Sequence, residues 1–325
     1  MISLTTNYLG LSLQSPLIVS SSGLASTVDK IRHFEELGAG AIVLKSLFEE
    51  QINYEAGSMV ENGLSPEAHD YITRYSKASA LENYLKLIEE AKKVVKMPVF
   101  ASINCMSVNE WVSFAKDIEM AGADALELNV FFVASDLGES SEKLENHYND
   151  IIVKVRSVTR LPIAVKIGYY FTNLVNMVNN LYVRGANAVV LFNRFYEPDI
   201  DIERMQLTTA GVFSNPADIR QTLRWIGIVS DKVSKIDLAA STGVHDGKAA
   251  IKQILAGAKA VQVCSVLYEK GNEQIKIMNE EIRQWMIRKN YTGIEDFRGK
   301  LNYKSIADPS MYERSQFMKY FSTYQ

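Results

Sequence analysis

The chain has few of the residues that build cross-linked or metal-bound scaffolds. Its two cysteines, Cys105 and Cys264, are far apart and each sits in an apolar, strand-like segment. Neither a disulfide framework nor a cysteine-rich metal centre is therefore available. The four histidines, His33, His69, His147 and His245, have no ligand spacing, and no metal site is expected. Charge of one sign is also lacking: 35 basic and 38 acidic residues leave a net charge of −3, which gives no general field for nucleic acid or an anionic membrane. The opening MISLTTNYLGLSL has no basic start followed by a long apolar run, and no other segment is apolar enough to cross a bilayer. These absences predict a soluble, cytoplasmic protein that holds any anionic ligand locally.

What the chain does contain is a repeat. LGAGAIVL (Leu37 to Leu44), AGADALEL (Ala121 to Leu128), RGANAVVL (Arg184 to Leu191) and AGAKAVQV (Ala256 to Val263) each read as a helix end, a glycine and a buried strand. Further apolar strands begin at Pro16, Pro98, Pro162 and Lys235, which makes eight. Helices are expected between them, for example over Ala80 to Val95 and Ala217 to Val233. Strands alternating with helices imply a parallel sheet covered on both faces. An eight-fold (β/α)8 TIM barrel fits that count better than an open doubly wound sheet. The expected organisation is one barrel over residues 1–290 and a C-terminal helical, aromatic tail over 291–325 packed on it.

Three connections after strands are too long for plain turns: Leu47 to Ser79, Phe131 to His147 and Arg194 to Asn215. In a barrel they share the C-terminal face, where active sites are assembled. The stretch from Leu238 to Gly271 organises the rest. Ser241, Thr242 and Gly243 close one strand, Gly247 opens a helix, and a second turn follows at Cys264 and Ser265. Converging backbone N–H groups there form a phosphate cradle.

Lys45 and Lys166 finish apolar strands, where a charge is costly unless it meets a solvated or anionic site. Each reads as an anion or cofactor clamp, a Schiff-base amine, or a lysine reaching the rim. Asn129 and Asn193 also close strands, suited to recognising an amide-rich ring or to forming turns. The small-residue turn Ser20 to Gly23 lets backbone approach a ligand closely. His245 reads as incidental to the phosphate turn.

With these residues assembled, the chain resembles the dihydroorotate dehydrogenase family, FMN-containing barrels of pyrimidine synthesis. The resemblance runs from Tyr8-Leu9-Gly10 and the SSSG turn to STGVHDGKAAIKQILAGAKAVQVCSVLYEKG. It implies that Ser21, Ser22 and Gly23 approach the flavin of FMN, that Lys45 and Ser46 lie beside it, and that Lys166 faces the isoalloxazine. It further implies that Gly243, Cys264 and Ser265 hold the FMN phosphate through backbone N–H groups; Asn129, also placed against the cofactor, and Asn193 are the candidate contacts for the substrate ring. It makes a homodimer the expected assembly and dihydroorotate, or a related small ring, the expected substrate.

The sequence departs from the family at the chemistry. The family's loop after the fourth strand carries Ser-Cys-Pro-Asn, whose Cys or Ser takes the substrate proton; here the run is Asn129-Val130-Phe131-Phe132-Val133-Ala134. Phe132 stands at the base position and cannot accept a proton. Ser135 is the nearest replacement hydroxyl. In the family's Asn-Ser-x-Gly-Leu-Pro-Asn loop only Gly63 and Leu64 match, with Val60 at the first Asn and Asn62 as a substitute. Two alternatives stay open: a flavoprotein of this fold that acts on another substrate or only transfers electrons, and a flavin-free barrel using Lys45 or Lys166 as a Schiff base.

Overall fold

The structure, a computed structural model, describes residues 2–48, 66–104, 108–194 and 197–313, without the side chains of 66–77 and 108–109. A tight antiparallel hairpin, β1 (Thr6–Tyr8) with β2 (Leu11–Leu13), comes first. Eight parallel strands follow: β3 (Leu17–Val19), β4 (Ala41–Val43), β6 (Val99–Asn104), β7 (Ala125–Asn129), β8 (Ile163–Ile167), β9 (Ala188–Leu191), β12 (Asp237–Ala240) and β13 (Ala260–Val263). Each pairs with the next, and β13 returns to β3, so the sheet closes. A two-residue strand, β5 (Leu47–Phe48), extends the pairing of β6 at its C-terminal end. The eight-stranded (β/α)8 barrel expected from the repeat is the fold.

The crossovers are α1 (Val28–Glu36), α2 (Pro66–Val94), α3 (Val108–Met120), α4 (Ser141–Val158), α5 (Leu174–Val183), α6 (Ile219–Lys232) and α7 (Gly247–Ala256). After β13 come a short helix α8 (Ser265–Lys270) and α9 (Gln274–Arg288). The repeat glycines Gly38, Gly122, Gly185 and Gly257 all have positive φ at helix ends, the left-handed stop their spacing predicts. All three sections read as long connections contain regular structure, and α4 begins at Ser141, inside the segment expected to be loop up to His147. Helix α2 begins at Pro66, inside the segment expected to be loop up to Ser79. The segment from Arg194 to Asn215 carries a hairpin, β10 (Pro198–Asp201) with β11 (Gln206–Thr209).

The alternation of side chains divides the core in two. Residues pointing outward from the barrel, such as Val19, Ile42, Leu126, Val165 and Val261, pack with the helices. Residues pointing inward, including Ile18, Val43, Phe100, Ala164 and Val190, pack with Tyr8, Leu9 and Leu13 of the first hairpin. That hairpin closes one end of the barrel, and the Leu9 N–H donates to Asp237 Oδ2 at 2.8 Å. Beyond α9 the chain returns to the helices: the Gly299, Leu301 and Tyr303 amides donate to the carbonyls of Ile254, Leu255 and Gly227. A final short helix, α10 (Ser310–Glu313), precedes the end of the described chain. No described helix is long and apolar enough to cross a membrane.

Candidate active site

Toward the C-terminal ends of the strands the inward-facing layer changes from apolar to polar. Lys166 on β8 is buried, and its Nζ donates to Ser20 Oγ at 3.1 Å and to Gln262 Oε1 at 2.9 Å. Gln262 Nε2 donates to Glu127 Oε2 at 2.5 Å, and Glu127 Oε1 lies 3.9 Å from Lys166 Nζ. Glu127 is 1% exposed, and among the described residues its Oε1 has no hydrogen-bond partner. Placing a lysine and a glutamate inside a barrel costs several kcal/mol per ion before their attraction is counted. Such an arrangement marks a site more often than a scaffold element. Its field reaches the plug: burial first, and then the Glu127 charge, hold the Tyr8 hydroxyl well above the ordinary tyrosine range.

Around this layer the small-residue turn and neighbouring strand ends are tied by hydroxyls. Ser21 Oγ accepts from the Ser46 N–H at 2.9 Å, Ser46 Oγ lies 2.7 Å from Ser102 Oγ, and Tyr84 OH accepts from the Ser102 N–H at 2.8 Å. Ser22 caps the turn that begins at Gly23. The Cys264 thiol is raised by burial, opposed by a hydrogen bond with Ser22 and by the Lys166 charge. Ser21, Ser22, Ser46, Cys264 and Lys166 are thus joined in one region. Lys45 is exposed instead and lines a groove with Thr27, Asp29 and Glu90, at the start of α1 and beside α2.

Asn193 Nδ2 donates to Asn129 Oδ1 at 2.7 Å, so the two amides expected to meet a ring stand side by side. Phe132 follows them, with its ring edge-on to Tyr148 at 5.3 Å and to His147 at 5.8 Å, and Tyr148 is in turn edge-on to Phe171 at 5.4 Å. A cavity of about 480 Å3 lies among Phe132, Tyr148, Tyr170 and Phe171. Burial pushes the Tyr148 hydroxyl up to about 12, against a hydrogen bond from the Phe132 backbone. Ser135 is exposed and does not line that cavity. Gly63 and Leu64, together with Val60 and Asn62, lie outside the described residues.

The phosphate cradle takes its shape from Gly243, which has φ +76°. A Cβ there would fall 2.2 Å from the Ile219 backbone nitrogen, so only glycine allows the turn to press against the start of α6. Ser265 Oγ accepts from the Ser214 N–H at 3.0 Å, which fixes the connection before α6 against the turn at Cys264 and Ser265. An anionic group meeting the Gly243 turn fits this backbone, because the positions next to the strand ends carry only small side chains.

Sequence reasoning found Lys166 and the turns but missed Glu127, Gln262, Ser102, Tyr84 and Ser214. Glu127 carried a signal, being a charge between leucines two residues before Asn129 and so on the same face of β7. Gln262 in VQV is the same case on β13.

The sequence profile of the dihydroorotate dehydrogenase family matches residues 3–286. The chain is 26% identical over 306 residues to the dihydroorotate dehydrogenase B (NAD+) catalytic subunit of Thermoplasma volcanium, covering 91% of this chain and 97% of that one. It is 30% identical over 200 residues to the corresponding subunit of Saccharolobus solfataricus, covering 60% and 67%. With the dihydroorotate dehydrogenase (fumarate) of Saccharomyces mikatae it shares 24% over 336 residues, covering 92% and 98%.

Proposed function

The chain belongs to the dihydroorotate dehydrogenase family, and from that premise we propose that it is an FMN-dependent oxidoreductase with dihydroorotate, or a related small ring, as its substrate. The observation that carries this reading is the buried Lys166, held by Ser20, Gln262 and Glu127 at the inner mouth of the barrel. Members of the family are flavoproteins, and bound FMN would take up the electron pair released by the substrate. Lys166 supplies a fixed cation where negative charge would collect, in a site that needs no reorganisation to present it. Gly243, Cys264 and Ser265 are the proposed phosphate contacts, and Ser21, Ser22, Gly23, Lys45 and Ser46 the proposed flavin contacts. Asn129 and Asn193 are proposed to orient the ring, and Gly63 and Leu64, outside the described residues, are proposed as further substrate contacts.

Oxidation of the dihydroorotate ring removes a proton as well as a hydride equivalent. Phe132 cannot take that proton, and its ring packs into the Tyr148 cluster. Tyr148, with its hydroxyl pushed up to about 12, is protonated at neutral pH and is no base either. Ser135, exposed and outside that cavity, is the proposed replacement hydroxyl, and it reaches the ring only if the loop is displaced. Loss of a positioned base typically costs about 10²- to 10⁴-fold, so turnover of dihydroorotate is slow and Phe132→Cys raises it. The aromatic cluster favours one second reading, a flavoprotein of this fold whose own substrate is a different small ring.

The proposed setting is cytoplasmic and the assembly a homodimer. The exposed Ile200, Met205 and Leu207 of the β10–β11 hairpin support self-association. We also propose the division into a barrel over 1–290 and a tail over 291–325. The relatives' names divide between NAD+ and fumarate and so give no single electron acceptor. Reconstitution tests the function: the purified protein should take up FMN stoichiometrically and be reduced slowly by dihydroorotate, faster in Phe132→Cys. A colourless protein after FMN addition, with borohydride-trapped carbonyl substrate on Lys166, would replace it with Schiff-base chemistry.

A further inference from the structure

A side-chain relay, buried at His245 and Ser214 and exposed at Glu269, lies in the phosphate cradle, and the proposed function makes no use of it. His245 and Ser214 are each 6% exposed. His245 Nδ1 is 3.3 Å from Glu269 Oε2, and His245 Nε2 is 3.1 Å from Ser214 Oγ. That same Ser214 oxygen lies 3.1 Å from Ser265 Oγ and accepts the Gly243 N–H at 3.4 Å. Three groups from the two turns after β12 and β13 therefore converge on one hydroxyl, at the backbone positions assigned to the phosphate.

The connectivity allows the ring two protonation states without losing a partner. Glu269 Oε2 stays within ion-pair distance of Nδ1 in both. Nε2 either accepts the Ser214 hydroxyl proton or, once protonated, donates to Ser214 Oγ and frees that proton to point elsewhere. A phosphate monoester brings a charge of about −1.5 to −2. The other charged groups on the packed elements include two acids and two lysines: Asp246 caps the Ala249 N–H and Glu281 accepts the Gly247 N–H at 2.5 Å, while Lys248 and Lys270 are exposed. A protonated His245 would add a second buried cation to Lys166, whose charge already reaches Cys264.

We propose that Ser214, His245 and Glu269 form a proton-linked latch for the cofactor's phosphate. When the phosphate binds, His245 takes one proton from solvent, Nε2–H donates to Ser214 Oγ, and the Ser214 hydroxyl donates to a phosphate oxygen beside the Gly243 N–H. Glu269 keeps its charge and holds the imidazolium in place. His245 acts through Ser214 and is a positioning residue. This inference rests on the flavin-nucleotide reading above and adds to it that phosphate recognition requires proton uptake.

The test is equilibrium binding of FMN and of riboflavin, which lacks the phosphate, to the cofactor-stripped protein by quenching of flavin fluorescence. The range runs from about pH 7, above the second ionisation of a phosphate monoester near about 6, to about pH 9. FMN affinity should fall with rising pH, by at most about tenfold per unit for one linked proton, while riboflavin affinity stays level. His245→Gln should flatten the FMN profile, weaken FMN on the order of tenfold at the low end and leave riboflavin unchanged. Ser214→Ala is the second variant, with the same selective loss, and riboflavin binding certifies that either variant is folded. Inorganic phosphate should compete with FMN, not with riboflavin, and compete less well in His245→Gln. Parallel FMN and riboflavin profiles, or an unchanged FMN slope in both variants, would overturn the latch and leave the FMN reading standing. A wild-type protein that binds neither flavin would overturn both.

Discussion

Glu127 and Lys166 are the residues whose placement is hardest to explain as scaffold. Each is enclosed by the barrel; Lys166 is hydrogen-bonded to Ser20 and Gln262, and Glu127 to Gln262, with the two charges 3.9 Å apart. Removing one partner of such a pair leaves the other as an unpaired buried charge, which typically costs about 3–5 kcal/mol. Glu127→Ala should therefore lower unfolding stability in urea by that order, and the double variant Glu127→Ala/Lys166→Met should recover part of the loss. A single variant as stable as wild type would mean that the pair is solvated, contrary to its burial. At this scale the sequence was half legible. A lysine ending PIAVKI stands out against its neighbours, whereas Glu127 and Gln262 sit mid-strand and become meaningful only when closure brings β7, β8 and β13 around one axis.

At the scale of elements, the turn at Gly243 binds the strand end of β12 to the start of α6. Gly243→Ala meets two penalties, the left-handed backbone, worth roughly 1–2 kcal/mol, and a Cβ 2.2 Å from Ile219 N. We expect a lower melting temperature and loss of flavin-nucleotide binding; an alanine variant that binds FMN normally would show that the turn is not the cradle. The repeat glycines made the barrel readable, because a helix stop followed by small residues and a buried strand leaves a periodic mark. The hairpin β10–β11 left none: PDID and QLTT are exposed along most of their length, so neither strand shows the alternation that burial imposes. The first part of α2, PEAHDYITRYSKAS, lacks a clear apolar stripe at helical spacing and so read as loop. Lys45 illustrates a different limit: it reads like Lys166 in sequence, yet it lies two residues beyond β4 and is exposed, whereas Lys166 lies inside β8.

For the whole molecule, buried tyrosines couple the fold to alkaline pH. Burial raises Tyr8, Tyr84 and Tyr148 above their ordinary range, Tyr148 to about 12. The folded state holds these protons more tightly than the unfolded chain, whose tyrosines titrate near about 10. Stability from this source is therefore full below about pH 10 and is lost as pH rises toward about 12. For Tyr148 alone the loss is on the order of 3 kcal/mol. Tyr148→Phe should flatten that part of the alkaline unfolding curve; an identical curve would place the Tyr148 hydroxyl in water.

The assembly of eight strands around a polar inner layer turns a family fold into a specific claim, that Lys166 governs the redox chemistry of this protein. The most direct test is an anaerobic titration of the FMN-loaded protein with dihydroorotate, following the visible flavin absorbance in wild type and Lys166→Ala. The account predicts slow bleaching in wild type and none in Lys166→Ala, with dithionite bleaching both. Equal bleaching of the two proteins, or a wild-type flavin that stays oxidised under dihydroorotate while dithionite reduces it, would contradict it.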